Sequence, residues 1–156
     1  KANSFSIAQN AVHHQQIGTV MDIYATILDA TGTKNPNKHI IDGTTLIPQL
    51  QGKNNPDRPD HFLCHFPHNH RSSYFTSYRK GDWKLIYRYK TKIGKRTLPL
   101  YELYDLASDP YEKTNLAEQK PNKLKTMIKQ MMAQLDEEGA QYALDSSKKK
   151  LIPVLP

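Results

Sequence analysis

The chain has 156 residues, 37% of them hydrophobic, with nine tyrosines and one tryptophan. This length predicts one domain that buries a core without disulfides or metals, and the composition excludes a disordered chain. No apolar run reaches the length that spans a membrane, and no basic-then-apolar signal segment opens the chain. Because the first residue is Lys1 rather than Met, we expect a piece of a longer protein, so the missing signal says nothing about secretion.

The formal net charge of +7 favours an anionic partner, such as nucleic acid, a membrane surface or an acidic glycan. The alternative is that the excess is a solvated tail, because residues 148–150 are a run of lysines and the other cations are scattered. Cys64 is the only cysteine, which excludes an internal disulfide and leaves the redox compartment open.

The first predicted element is a helix over about 19–31. Apolar residues recur there at helical spacing, namely Val20, Ile23, Tyr24, Ile27 and Leu28. Thr19 is a suitable N-cap, and Gly32 can end the helix in a left-handed conformation. Too little sequence precedes this helix to cover its apolar stripe, so we expect it to pack against a body outside this chain. Residues 46–50 then predict a short helical turn.

A β-hairpin is the strongest signal in the chain. Residues 77–89 place strand-forming residues on both sides of the turn Lys80-Gly81-Asp82, and the second strand alternates Trp83, Leu85, Tyr87 and Tyr89 on one face. Residues 62–66 predict a preceding strand and 98–106 a fourth, with a basic loop over 91–97 between them. A second amphipathic helix follows over about 121–138.

Together these elements predict an α+β fold. We expect a four-stranded antiparallel sheet with the carboxy-terminal amphipathic helix packed on it, and the amino-terminal helix packed elsewhere. Residues 141–156 read as a tail, because two prolines prevent regular structure near its end.

The densest group of chemically active side chains surrounds Pro67, namely His61, His65, His68, His70 and Arg71. Imidazoles with an arginine could line an anion or sugar pocket. Zinc binding is a weaker alternative because no firm carboxylate or thiolate partner is evident. A thiol nucleophile at Cys64 is also weak, since adjacent residues of a strand point to opposite faces. A polar loop with one partly buried histidine is the structural alternative.

Cations near the hairpin turn add a further candidate. The guanidinium of Arg79 could bind sulfate, carboxylate or phosphate, whereas Lys80 and Lys84 fit a solvated surface. Alternating tyrosines are ordinary sheet packing, so we expect no nucleic-acid partner. Glu102 and Asp105 do not form an acid–base pair, because residues three apart in a strand point in opposite directions. The motifs Gly-x-Ser-x-Gly and His-Glu-x-x-His are absent.

Several of these segments, taken in order, resemble the late part of the sulfatase family, in particular arylsulfatase-type enzymes of the alkaline phosphatase superfamily from bacteria. The resemblance covers roughly residues 15–140. It rests on 22–32, 41–52, His65-Phe66-Pro67-His68, 79–86, 102–106, Asp109-Pro110 and Asn115-Leu116.

The resemblance implies that the catalytic machinery lies outside this chain. The family uses a formylglycine made within Cys/Ser-x-Pro-x-Arg and a calcium held by Asp and Asn residues. Cys64 has its proline at Pro67 and no matching arginine, so it is not the precursor. The implied division is residues 1–52 as the end of the catalytic domain, 53–140 as the carboxy-terminal sheet subdomain and 141–156 as a tail. We therefore expect no catalytic or metal-binding residue here, and no activity from this chain alone.

In the family, the carboxy-terminal sheet closes over the active-site cleft. By that resemblance the expected substrate-binding residues are His65, His68, His70, Arg71 and Arg79. The implied partners are the missing amino-terminal catalytic domain and a sulfated glycan or aryl sulfate, with no nucleic acid and no membrane. The implied location is periplasmic or secreted. Two alternatives are the tail domain of a phosphodiester or phosphonate hydrolase and a stand-alone module that binds anionic glycans.

Overall fold

The structure is a computed structural model that describes residues 6–10, 16–36, 39–68 and 74–156. The chain forms two compact units, Lys1–Asp60 and His61–Pro156. The first contains helices α1 (Asp22–Thr31) and α2 (Ile47–Leu50). The second contains strands β1 (His61–Phe66), β2 (Phe75–Lys80), β3 (Trp83–Arg88), β4 (Lys92–Ile93), β5 (Arg96–Thr97) and β6 (Tyr101–Asp105), and helix α3 (Pro121–Glu137). The predicted α+β class is confirmed, and the predicted domain boundaries stay a prediction.

A buried ion pair organises the first unit. The Asp22 carboxylate lies 2.9 Å from the Arg58 guanidinium, and both side chains are 4% exposed. Asp22 also accepts hydrogen bonds from the backbone amides of Thr19 and Thr44. Burial alone would raise the pKa of Asp22, but these amides and the Arg58 charge outweigh it and lower the pKa. Among the described residues, the pair therefore links the start of α1 to two later loops.

Helix α1 begins later than the apolar pattern predicts. Its first residue is Asp22, its N-cap is Met21, and no side chain caps it, so the prediction that Thr19 is the N-cap is wrong. The Thr19 amide instead donates to the Asp22 carboxylate at 2.6 Å. This buried carboxylate thus accepts from a backbone amide at the start of the helix. The predicted end is confirmed, since Gly32 has a φ of 64° and its amide bonds to the last turn.

The second unit is an antiparallel sheet of order β1-β2-β3-β6 with α3 on one face. In β3 the predicted inward face is confirmed, because Leu85 and Tyr87 are buried and Trp83 packs on the core. Helix α3 begins with Pro121 and contributes buried side chains spaced three or four apart, which are Leu124, Met127, Ile128, Met131 and Leu135. The inward-facing side chains of the strands and the apolar side of α3 pack together into one continuous apolar core.

The connection between β3 and β6 is not a plain loop. The prediction of a loop over 91–97 is wrong in that β4 and β5 form a small antiparallel hairpin, with Lys92 opposite Thr97 and Ile93 opposite Arg96. Gly94 has a φ of +56°, which the tight connection requires. The fourth strand of the main sheet is correspondingly shorter than predicted, at Tyr101–Asp105.

One edge of the main sheet is closed by a side chain. The Asn115 carboxamide oxygen accepts from the Leu103 amide at 3.0 Å, and its nitrogen donates to the Tyr101 carbonyl at 3.0 Å. The amide thus replaces the next strand along β6, and the Leu116 amide continues the pattern to the Leu103 carbonyl at 2.8 Å. Within the described parts of the chain, no helix has the length and apolarity needed to cross a bilayer.

Candidate functional site

Two of the predicted site residues, His65 and His68, lie at or next to one end of the main sheet. β1 ends at Phe66 and β2 begins at Phe75, and these two residues pair in the register. Residue Arg88, at the end of β3, pairs with Phe75 on its other side. Strands β1 and β3 therefore both end at this end of the sheet, and the β4–β5 hairpin follows β3 in the chain.

His65 is the best-anchored histidine of the predicted group. Its Nδ1 lies 2.7 Å from the hydroxyl of Thr76, the partner across the strands, and its Nε2 lies 2.8 Å from the Gln141 carbonyl oxygen. Its ring also makes edge contacts with Tyr89 and Tyr142, at centroid distances of 5.8 and 5.4 Å. Both ring nitrogens are thus engaged within the second unit.

These partners determine the neutral tautomer of His65. A carbonyl oxygen only accepts, so Nε2 carries the proton and donates to Gln141, which leaves Nδ1 to accept from the Thr76 hydroxyl. The fully buried Thr76 hydroxyl in turn accepts from the Tyr89 phenol, 2.8 Å away. The arrangement is a chain of hydrogen bonds from Tyr89 to the backbone at Gln141.

Tyrosines surround this chain of hydrogen bonds. Burial is the main reason why the pKa of Tyr89 is raised, and the hydrogen bond to Thr76 only partly opposes it. Burial likewise raises the pKa of Tyr87, Tyr101 and Tyr142. All four phenols are therefore neutral at physiological pH, and they serve as hydrogen-bonding and packing groups rather than as bases.

The carboxy-terminal segment 141–156 lies against the same end of the sheet. The Tyr101 hydroxyl donates to the Val154 carbonyl at 3.1 Å, and the Val154 amide donates to the Tyr87 hydroxyl at 3.3 Å. Between Gln141 and Val154, Asp145 accepts from the amides of Ser147 and Lys149, which closes a turn. The segment read as a tail is thus hydrogen-bonded to the sheet through several side chains.

The opposite face of the sheet carries paired charges. Arg88 donates to the Glu102 carboxylate at 2.7 Å, and the Tyr104 phenol donates to its other oxygen at 2.7 Å. Glu102 is 8% exposed, so solvent has little access to its carboxylate. Lys84 pairs with Glu112 at 2.6 Å on the same face. Sequence reasoning missed these partners, although alternation within β3 and β6 could have indicated that Arg88 and Glu102 share a face.

The other predicted residues are dispersed. His68 packs its ring edge on Phe66, at 5.6 Å between centroids, and so lies at the sheet end described above. Arg79 donates to the Gly81 carbonyl at 3.0 Å beside the β2–β3 turn. In the register, Arg79 lies on the face opposite to His65 and near the other end of the sheet. The two therefore do not line one pocket, and His70 and Arg71 lie outside the described residues.

The register also separates the two residues of the thiol alternative. Cys64 pairs with Ser77 and His65 pairs with Thr76, so their side chains lie on opposite faces of the sheet. Among the residues that the structure describes, no three His, Cys, Asp or Glu side chains come together as a metal site. The substrate-binding roles of the predicted residues stay predictions.

Comparison with known proteins identifies the family. Residues 5–141 match the family described as "N-sulphoglucosamine sulphohydrolase, C-terminal". Arylsulfatase K of Xenopus laevis is 32% identical over 130 residues, which is 78% of this chain and 23% of that protein. An uncharacterized sulfatase of Schizosaccharomyces pombe is 30% identical over 138 residues, covering 81% of this chain and 23% of that protein. The chain thus spans about a quarter of the length of these relatives.

Solved structures share the fold. One, determined in complex with its substrate D-glucosamine-2-N,6-O-disulfate, has 25% identity and a TM-score of 0.56, covering 76% of this chain and 24% of that one. A phosphonate monoester hydrolase of Agrobacterium radiobacter, 23% identical with a TM-score of 0.52 over 74% of this chain and 24% of its own, shows the fold alone. The chain belongs to the N-sulphoglucosamine sulphohydrolase C-terminal family and is a sulfatase C-terminal domain.

Proposed function

We propose that the chain is the accessory domain of a sulfate-ester hydrolase and forms one wall of its substrate cleft. The observation that carries this proposal is the family match over residues 5–141, which includes α1, α2, α3 and the whole main sheet. The chemistry would be hydrolysis of a sulfate ester or sulfamate on a glycan. The family description and the sulfated glucosamine held by a protein of the same fold support a sulfated glycan over a simple aryl sulfate.

The proposed partner is the catalytic domain of the same polypeptide. About three-quarters of the sequence of each matched relative lies outside the matched part, which leaves room for such a domain. Helix α1 exposes an apolar side that the catalytic domain would bury, since Ile23 and Ile27 are each 54% exposed. By the family resemblance, formylglycine and calcium would belong to that domain.

Within the accessory domain, His68 is the described residue best placed to bind substrate. It follows β1 directly and starts the loop that also contains His70 and Arg71. Imidazole and guanidinium N–H groups donate to sulfate oxygens, and charge assistance strengthens such bonds. His65 would have a positioning role. Its two ring nitrogens bond to Thr76 and Gln141, and these bonds would fix the end of β1 that precedes His68.

Turnover by the purified chain tests the division of labour. We expect no hydrolysis of 4-nitrocatechol sulfate or of N-sulfated glucosamine, with or without calcium, while the longer polypeptide hydrolyses one of them. A chain denatured and refolded from urea serves as the control for contaminating sulfatase. Turnover that persists through repeated purification and scales with the chain would show that the machinery lies here.

A phosphonate or phosphodiester hydrolase is the second candidate, supported by the fold of the Agrobacterium radiobacter enzyme. The longer polypeptide would then cleave a phenyl phosphonate ester faster than the matching aryl sulfate. We expect the reverse preference.

A further inference from the structure

Residues 141–156, which we name the strap, carry hydrogen bonds of their own. The Leu151 amide donates to the Ala143 carbonyl, and the Asp145 amide donates to the Lys149 carbonyl, each at 2.9 Å. The segment thus folds back on itself as a short hairpin. A two-stranded hairpin alone is marginally stable at best in water. The hydrogen bonds within the strap therefore depend on its contacts with the rest of the second unit.

Three side-chain hydrogen bonds join the strap to the strands in the described structure. His65 at the end of β1 donates to the Gln141 carbonyl at 2.8 Å. Tyr101 in β6 donates to the Val154 carbonyl at 3.1 Å, and the Val154 amide donates to the Tyr87 hydroxyl at 3.3 Å. The main sheet has the order β1-β2-β3-β6, so the strap is not one of its strands. It is held at its two ends by side chains rather than by a ladder of backbone bonds.

The apolar contact between the strap and the sheet is small. The Tyr142 ring packs edge-on against the His65 and Tyr89 rings, at centroid distances of 5.4 and 6.2 Å, and Pro153 is buried. Ile152, beside that proline, is 55% exposed. Segments with few buried apolar contacts open at a lower free energy than the core of the same domain. We therefore expect the strap to open more readily than the sheet and α3 separate.

The strap covers a polar row on the face of the sheet that also carries α3. In the register, His65 pairs with Thr76, Thr76 with Tyr87 and Tyr87 with Tyr101, so these four side chains cross the sheet in one line. Leu85 lies on the same face, in the apolar core that includes α3. The helix and the strap thus cover different parts of one face. Release of the strap uncovers the polar row and leaves the apolar core in place.

We propose that the strap opens and closes as one unit while the sheet and α3 stay folded, and that it controls access to the row of His65, Thr76, Tyr87 and Tyr101. In the closed state, the strap holds the His65 ring at the end of β1. Opening breaks the bond between His65 and Gln141 and exposes one imidazole and three hydroxyl groups. This proposal concerns the folding of the chain itself and is independent of the proposed function.

Amide hydrogen exchange of the purified chain, followed residue by residue by NMR, tests the proposal. The Leu151 and Asp145 amides report opening of the strap, and the amides of α3 report unfolding of the core. Leu124→Ala removes core volume at the end of α3 away from the strap, where Lys123 lies over the Trp83 ring. We expect exchange in α3 to become about a hundredfold faster, and exchange in the strap to change by less than about twofold.

A second variant releases the strap itself. Tyr87→Phe with Tyr101→Phe removes both hydroxyls that bond to Val154, so exchange of the strap amides should become about tenfold faster. The matched control is Tyr104→Phe, which removes a phenol bond to Glu102 on the opposite face of the sheet. We expect this control to change exchange in the strap by less than about twofold. Trp83 fluorescence melts establish that the variants are folded.

Two results would overturn the proposal. Strap amides that accelerate as much as the α3 amides in Leu124→Ala would mean that the strap opens only when the whole unit unfolds. Equal acceleration of the strap amides by the double variant and by Tyr104→Phe, or no acceleration by the double variant, would mean that the two hydroxyls do not hold it closed. If Leu124→Ala does not fold, the milder Leu124→Val replaces it.

Discussion

The two units of the chain are stabilised by different interactions. In the described structure, every buried apolar side chain of the core lies in the second unit, from Tyr78 in β2 to Leu135 in α3. The buried side chains described in the first unit are polar, namely Asp22, Asn55 and Arg58. Hydrophobic burial is the dominant favourable term in folding, so the second unit contains what it needs to fold. The first depends on hydrogen bonds around one ion pair.

This difference bears on the function. A unit with its own core can act as a rigid support for loops that bind a ligand, and the second unit carries His68, the proposed substrate-binding residue. The first unit presents exposed apolar residues along α1 instead, which fits its proposed place against a catalytic domain. The predictions below separate the two modes of stabilisation, from the largest expected effect to the smallest.

Removing core volume should have the largest effect. Leu85 is fully buried between the sheet and α3, so Leu85→Ala should lower the free energy of unfolding of the second unit by about 3 kcal/mol or more. Urea unfolding followed by Trp83 fluorescence measures this unit directly, because the only tryptophan lies in β3. The control Ile27→Ala, at an exposed position of α1, should change it by under about 0.5 kcal/mol. Similar effects of the two changes would contradict the comparison.

Breaking the buried ion pair should destabilise the first unit alone. Asp22→Asn leaves the Arg58 guanidinium buried without its counter-charge, and we expect a loss of roughly 3 kcal/mol. Amide hydrogen exchange of α1 reports it, while the Trp83 transition should not move. If protection in α1 is unchanged, the ion pair does not organise the unit.

The same pair predicts an acid response. Because hydrogen bonds and Arg58 lower the pKa of Asp22 despite its burial, the stabilisation is present above the pKa of the unfolded carboxyl and is lost as pH falls through the lowered value. Protection of α1 should therefore decrease below about pH 4, and in Asp22→Asn this part of the decrease should be missing. An identical acid profile in the variant would rule out the linkage.

Opening the sheet edge should have an intermediate effect. Asn115→Ala removes the partners of the Leu103 amide and the Tyr101 carbonyl, which should cost about 2 kcal/mol in the urea transition of the second unit. Asn115→Asp retains the acceptor for the amide and loses only the donor, so its cost should be smaller. Equal costs would mean that the carbonyl bond is the one that matters.

The half-exposed ion pair should matter least. Lys84 and Glu112 are 26% and 31% exposed at their side chains, so Lys84→Gln should change the stability of the second unit by under about 1 kcal/mol. Added NaCl should reduce the difference further. A loss as large as that of Asp22→Asn would remove the contrast between buried and solvated pairs.

Periodicity was enough to predict much of the fold. The hairpin around Gly81 and the amphipathic α3 follow from alternation and helical spacing, which are local properties of the sequence. The Asp22–Arg58 pair could not be predicted, because its residues are 36 positions apart and neither has a local signature. The place of segment 141–156 depends on the His65 ring and tyrosine hydroxyls, which come together only in the folded unit.

The candidate site also combines features that are local in the sequence with contacts that form only in the folded unit. The histidine cluster could be recognised as a group of similar side chains, but in the structure both ring nitrogens of His65 bond to Thr76 and Gln141, and Arg79 lies on the other face of the sheet. Sequence neighbours of one strand alternate between faces, so closeness in sequence does not imply a shared pocket. Residues 91–97 could be recognised as a basic segment, but their pairing as the β4–β5 hairpin could not.

The kinetics of His68→Ala in the complete sulfatase polypeptide test the central claim most directly. If the second unit forms a wall of the substrate cleft, this change should raise KM for the sulfated glycan about tenfold and leave the Trp83 unfolding transition in place. The matched change His61→Ala, at the other end of β1, should leave KM unchanged. Unaltered KM in His68→Ala, or an equal rise in His61→Ala, would contradict the account.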